Sequence, residues 1–419
     1  HATLTPEIKT YDEANPKAKS VAAYQNTNTT INQSSSNTHT VSGTGNTLVI
    51  ESSGTIQVSN SQAVNFTKDS STTTFLNQGT LISGNNTASV QIGANNQNGA
   101  TIETFDNQGI IGNGSSKFGI TVWGKSDNKS TINNFTNSGT IHSNAGESIY
   151  FSNVNISSFV NSGTISGNSG VNIANGTSIE NFINSGAIIS SNGSGWRPSG
   201  LKVSGATIQN LQNSGSIINT SSGVALGVQI SGASIDKLSN SGAISGIVGV
   251  YVENSNIKTL ENSGIIEATS KESWSAGIKL ENGGTIEDII NTGTIKSNTY
   301  GIVLYGGNFG TLTLKDGGII SSKESGITVY DRQTLGDLYI DGTSSKKDGT
   351  VSGIYSEKSG IYLTTGSKTN KIELINGGII KGKVHGIMLE GGASLSGEMI
   401  LSGEGSRVEG GRGAGISNS

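Results

Sequence analysis

Few residue types in this chain are equipped for covalent chemistry, and their spacing sets them apart. The four histidines, His1, His39, His142 and His385, are scattered along 419 residues. A histidine-based metal centre or triad needs such side chains to converge, so neither is expected, and no metal or cofactor is assigned. Cysteine is absent, which removes disulfides and thiolate-bound zinc. Glu287 and Asp288 form an adjacent carboxylate pair. Neighbours on a strand point to opposite faces, whereas two carboxyls that cleave a glycoside face each other across about 5–9.5 Å. Glu253, Glu281 and Glu390 share one repeat position and read as a solvated acidic face, with calcium bridging as the rarer alternative.

Aromatic side chains give a stronger signal. Only 5% of residues are aromatic, yet five of the ten tyrosines (Tyr150, Tyr251, Tyr305, Tyr330 and Tyr362) fall in two adjacent columns of one repeated segment, and Trp123 joins them. These columns are expected to face outward, and exposed Tyr and Trp suit glycan stacking or a protein hot spot. Strand propensity alone also favours Tyr there. A second candidate is borne on loops: Trp196 with Arg197, and Trp274, each follow a repeat Asn in longer units and are expected at one corner of the scaffold.

The elements that position these columns come from two repeats. One reads Ile-x-x-Phe/Leu/Ile-x-Asn-Ser/Gln/Thr-Gly, and its eight copies from Ile102 to Ile286 have a mean spacing near 26 residues. The other reads Gly-Ile/Val/Leu-x-Val/Ile/Leu, as in Gly119-Ile120-Thr121-Val122, and continues to Gly386 and a partial copy at Gly415. A period of about 20–50 residues marks a solenoid. Each unit splits into three pieces rich in β-branched residues, separated by Gly and Asn and too short for helices. The expected fold is all-β: a right-handed parallel β-helix with three strands per coil over residues 41–419. Residues 1–40 are polar, hold Pro6 and Pro16 and lack the motif, which suggests an irregular N-terminal segment or cap. A leucine-rich repeat has a similar period, but the Ser, Gly, Asn and Thr between motifs are poor helix formers. The recurring Asn107, Asn137, Asn161, Asn184, Asn213, Asn240, Asn262 and Asn291 are expected at turns in a left-handed conformation, with stacked amides forming a ladder.

Composition narrows the function classes. Apolar residues make up 32% and charged residues 13%, with a net charge of −4 and no Lys/Arg run longer than Lys346-Lys347, so no nucleic-acid partner is expected. No apolar run approaches the ~20 residues of a membrane-spanning helix. The Gly-rich stretches lack a phosphate-cradling pattern.

Gly/Asn/Ser/Thr-rich coils with repeated Asn-Ser-Gly-Thr-Ile and no cysteine resemble the passenger domain of a Gram-negative autotransporter over residues 41–419. The resemblance implies export across the outer membrane to the cell surface or beyond, and a C-terminal membrane β-barrel in the full-length protein. It further implies a virulence adhesin whose partner is host-cell surface glycan or protein, with a second copy of the chain as a further partner in autoaggregation. The serine-protease signature Gly-Asp-Ser-Gly is absent. Polysaccharide lyases and hydrolases also use β-helices, so such an enzyme is the alternative, although Asn291-Thr292-Gly293 lacks the aspartate of galacturonan hydrolases. The expectation is a binding protein without catalysis.

Overall fold

The computed structural model describes residues 3–4, 27–84, 86–113, 115–191, 193, 197–344 and 346–419. It is all-β, with no helix among the described residues and parallel strands stacked as a β-solenoid. The chain divides into two compact units, 1–180 and 181–419. Each coil carries a long strand ending near the repeat Asn, a short strand after the Asn-Ser-Gly turn, and a second strand built on the Gly-Ile-x-Val motif. In the first unit the long strands Ser71–Asn77, Thr101–Asn107, Ser130–Asn137 and Val154–Asn161 pair in register. In the second unit Thr207–Asn213, Ser234–Asn240, Asn256–Asn262 and Thr285–Asn291 do the same.

Much of the irregular segment expected over 1–40 lies outside the described residues, and its end is already coiled. Thr27–Ile31 pairs in parallel with Asn46–Ile50, and His39–Val41 with Val64–Phe66. Threonine and isoleucine supply the β-branched side chains there without the motif.

The motif spacing of three, Ile to Phe, departs from strand alternation. Along Thr101–Asn107 both Ile102 and Phe105 are buried, and the two residues between them face out. The long strands that carry the motif therefore break alternation at the same place. Glu287 and Asp288 accordingly both lie exposed on one side, and the opposite-face expectation fails there because Ile286 and Ile289 are both drawn into the core. Phe105, Phe135 and Phe159 fill the inner side of this bend in the first unit, with ring centroids 4.5 and 4.7 Å apart in parallel stacks. In the second unit Leu211, Leu238, Leu260 and Ile289 take that position.

The repeat asparagines are buried and form a ladder of side-chain amides. In the first unit Nδ2 of Asn77, Asn107 and Asn137 donates to Oδ1 of the next Asn at 2.8, 2.7 and 2.8 Å. In the second unit Asn184, Asn213, Asn240 and Asn262 each donate to the next at 2.8 Å, ending on Asn291. These residues are strand ends with ordinary φ, so the left-handed expectation is corrected. Left-handed asparagines occur elsewhere, as at Asn153, Asn175, Asn254 and Asn282 at the turn after the second strand. The ladder Asn needs its extended backbone to aim its amide inward along the stack. Beyond Asn291 the column is taken by Leu314 and then Ile340, and the turn changes to Asp316-Gly317 with positive φ at both. The Asn-Ser-Gly glycine permits close stacking: a Cβ on Gly242 would meet the carbonyl oxygen of Gly215 at 2.0 Å.

Candidate functional site

The second strands carry the aromatic columns, and their surroundings split the candidate residues into open and closed groups. Several central residues of these strands do not face solvent as expected. Tyr251 and Thr328 are fully buried, and Thr121, Gln229 and Lys279 nearly so. Where the cover is clearest, over Tyr251, the connection leading into a second strand lies across its outer face.

Arg197 and Trp274 make that cover in the second unit. The Arg197 guanidinium lies 4.8 Å from the Tyr251 ring centroid and 5.5 Å from that of Trp274, and the two rings are 5.5 Å apart. Leu226, Val248 and Val224 complete the apolar packing. Arg197 Nη1 donates to Tyr251 Oη at 2.8 Å and reaches Glu253 Oε2 at 3.4 Å. Tyr251 donates to Glu253 Oε2 at 2.8 Å, and Ser231 donates to the other oxygen at 2.8 Å. A backbone φ of 57° at Arg197 is unusual for a bulky residue and depends on these contacts. Trp274 folds back over the wall instead of projecting from a corner. Trp196 lies outside the described residues.

Sequence reasoning missed the ionic part of this cluster. Lys279 is paired in register with Tyr251 and Glu281 with Glu253. Lys279 Nζ sits 4.0 Å above the Trp274 ring. Burial pulls its ammonium down to about 8, reinforced by Arg197 and opposed by Glu281. Glu281 is buried, and its Oε2 accepts no hydrogen bond, so the solvated-face reading fails for this residue. Burial, then the hydrogen bond to Glu253 and the nearby Glu281 carboxylate, pushes the Tyr251 hydroxyl far up. Aligning the copies places Lys279 one coil after Tyr251. The covering loops carry no such periodic signal.

The open group lies further along the second unit. Tyr305 and Tyr330 meet edge to face at 5.6 Å, and Tyr305 is 44% exposed. Tyr300, which the column analysis passed over, stands against Tyr330; burial and then Tyr300 push the Tyr330 hydroxyl up. Tyr362 donates to Glu390 Oε2, and burial followed by that carboxylate raises its hydroxyl to about 12. Four tyrosines therefore occupy three consecutive coils, half-buried or exposed. Such rings can stack on the apolar face of a sugar or a side chain, and their hydroxyls can bond its polar edge.

In the first unit Trp123 and Tyr150 form a smaller group. Their centroids are 4.9 Å apart, Phe118 lies 6.2 Å from Tyr150, and Lys117 Nζ stands 5.5 Å from the Phe118 ring. Trp123 and Tyr150 are each half-buried.

A groove of about 530 Å³ follows the Asn-Ser-Gly turn of the second unit, lined by Gln212, Ser214, Ser241, Lys315 and Asp316 among others. Its Glu261 is engaged by Lys237 at 3.2 Å. Among the described residues, no group of three or more His, Asp and Glu could hold a metal, and no helix is long and apolar enough to cross a membrane. No protein family, curated protein or solved structure matches this chain.

Proposed function

We propose that the chain is the passenger part of a surface-exposed or secreted autotransporter, acting as an adhesin that binds host-cell glycan or protein through the second-strand wall. The β-solenoid is compatible with that role. The observation that carries the reading is the group of Tyr300, Tyr305, Tyr330 and Tyr362 on consecutive coils, with Tyr305 open to solvent, in a chain where aromatics make up only 5%. Large amphipathic rings are costly to leave in water unless a partner covers them, and they dominate recognition surfaces. The Arg197–Tyr251–Trp274 cluster serves this reading by stiffening the wall and leaves the tyrosines after it to make contact.

Binding of the purified chain to cultured epithelial cells tests the proposal, with glycosidase-treated and protease-treated cells as separate arms. Loss of binding after glycosidase assigns glycan, and loss after protease assigns protein. Absence of binding to untreated cells removes the reading and leaves self-association, checked by sedimentation across concentration, as its successor.

A further inference from the structure

A recess of about 250 Å³ opens on the short-strand face of the second unit, away from the tyrosine wall. Its floor is one column of outward residues on adjacent short strands: Lys296, Ser321, Tyr355 and Lys381. Lys323 and Lys383 follow directly on the ends of two of these strands. Four lysines thus line the recess against a single carboxylate, Glu357. Lys383 engages Glu357 at 3.1 Å and Lys381 engages Glu409 at 3.4 Å. No ion pair among the described residues involves Lys296 or Lys323, both of which are exposed.

One further feature points to a ligand. Tyr355 lies half-buried between the lysine pairs with its hydroxyl fixed, donating to Val351 O at 2.8 Å. A Cβ on Gly353 would stand 3.2 Å from the Tyr355 ring, so the glycine lets the ring lean over the strand as a platform.

We propose that this recess binds an acidic sugar unit of a polyanionic glycan. Its ring stacks on Tyr355, and its sulfate or carboxylate sits between Lys296 and Lys323. The inference stands independently of the tyrosine wall.

The test is calorimetric titration of the purified chain with three probes: a heparin-derived hexasaccharide, a hyaluronan hexasaccharide and a neutral maltohexaose. Binding of heparin fragment alone assigns sulfate, binding of both acidic probes assigns carboxylate, and maltohexaose is expected not to bind. Lys296→Ala with Lys323→Ala is expected to weaken binding roughly tenfold or more. Tyr355→Leu is expected to weaken it several-fold. The control Lys237→Ala with Lys258→Ala removes the same charge from the long strands. Equal weakening by this control, or unchanged affinity in Tyr355→Leu, overturns the site in favour of diffuse charge attraction. Binding of neither acidic probe overturns it outright.

Discussion

Asn240→Ala removes one rung from the middle of the ladder in the second unit. The native amide donates to Asn262 Oδ1 at 2.8 Å, Ile265 O at 3.1 Å and Gly242 O at 3.2 Å, and accepts from Asn213 Nδ2 at 2.8 Å. Asn213 keeps two carbonyl acceptors, Ala243 O and Gly215 O, so it is weakened but not stranded. Asn262 Oδ1 loses its donor inside the core. At about 1 kcal/mol for each of the two amide–amide bonds, with a further ~1 for the longer contacts and the stranded oxygen, the cost is about 3 kcal/mol. Asn291 ends the ladder with only one amide partner, and its coil neighbour is Leu314, so Asn291→Ala is expected to cost about 2 kcal/mol. Urea unfolding gives the comparison, with amide hydrogen exchange showing whether loss is confined to the adjoining coils, as expected for a structure of nearest-neighbour contacts. A cost below about 0.5 kcal/mol at Asn240, or a larger cost at Asn291 than at Asn240, would show that the ladder is not a cooperative stabilising column.

Other expectations follow from the same contacts. Arg197→Ala uncovers Tyr251 and takes away its 2.8 Å bond; the expected signs are a red shift of Trp fluorescence and a loss of about 2 kcal/mol. Phe135→Ala deletes the centre of the parallel stack in the first unit and should cost about 3–5 kcal/mol by chemical denaturation. Lys279 predicts a pH dependence. Its ammonium titrates near 8 in the folded chain against 10.5 unfolded. Below pH 8 both states are charged and the folded state bears the whole burial cost. As pH rises from 8 toward 10.5 the unfolded chain holds more protons, so stability increases, by on the order of 3 kcal/mol over the full range. The raised hydroxyls of the buried tyrosines act in the opposite sense, because they ionise in the unfolded chain first, from about pH 10 upward. Melting between about pH 8 and 9.5 should therefore rise in the native chain and stay flat in Lys279→Met; a rise of equal size in both would remove Lys279 as its source.

The coil was legible because identical residues recur at identical places. Stacking turns sequence period into columns, and a column of Asn or of Gly-Ile-x-Val has few other physical explanations. The rung at Asn77 escaped notice because Thr72 replaces the Ile that opens the motif; Thr72 is buried all the same, with its hydroxyl unpaired. The long strand's bend was implicit in the three-residue Ile–Phe spacing, yet alternation applied by rote put Glu287 and Asp288 on opposite faces. What covers the second strand could not be read. Arg197 reaches across 54 residues to Tyr251, from a loop whose length is unique to its coil, and period carries no information about such contacts. The sequence places Tyr251 and Tyr362 in equivalent positions on the wall. The cover of Arg197 and Trp274 buries the first, while the second stays half-buried.

The central claim is that the open tyrosines, and not the buried one, make contact with a host cell. The direct measurement compares epithelial-cell binding of the native chain with that of Tyr305→Ser/Tyr330→Ser/Tyr362→Ser, after circular dichroism shows an unchanged β signal. The account predicts that the native chain binds and the triple variant loses most of that binding. Equal binding by both would contradict it and move the contact surface off the second-strand wall.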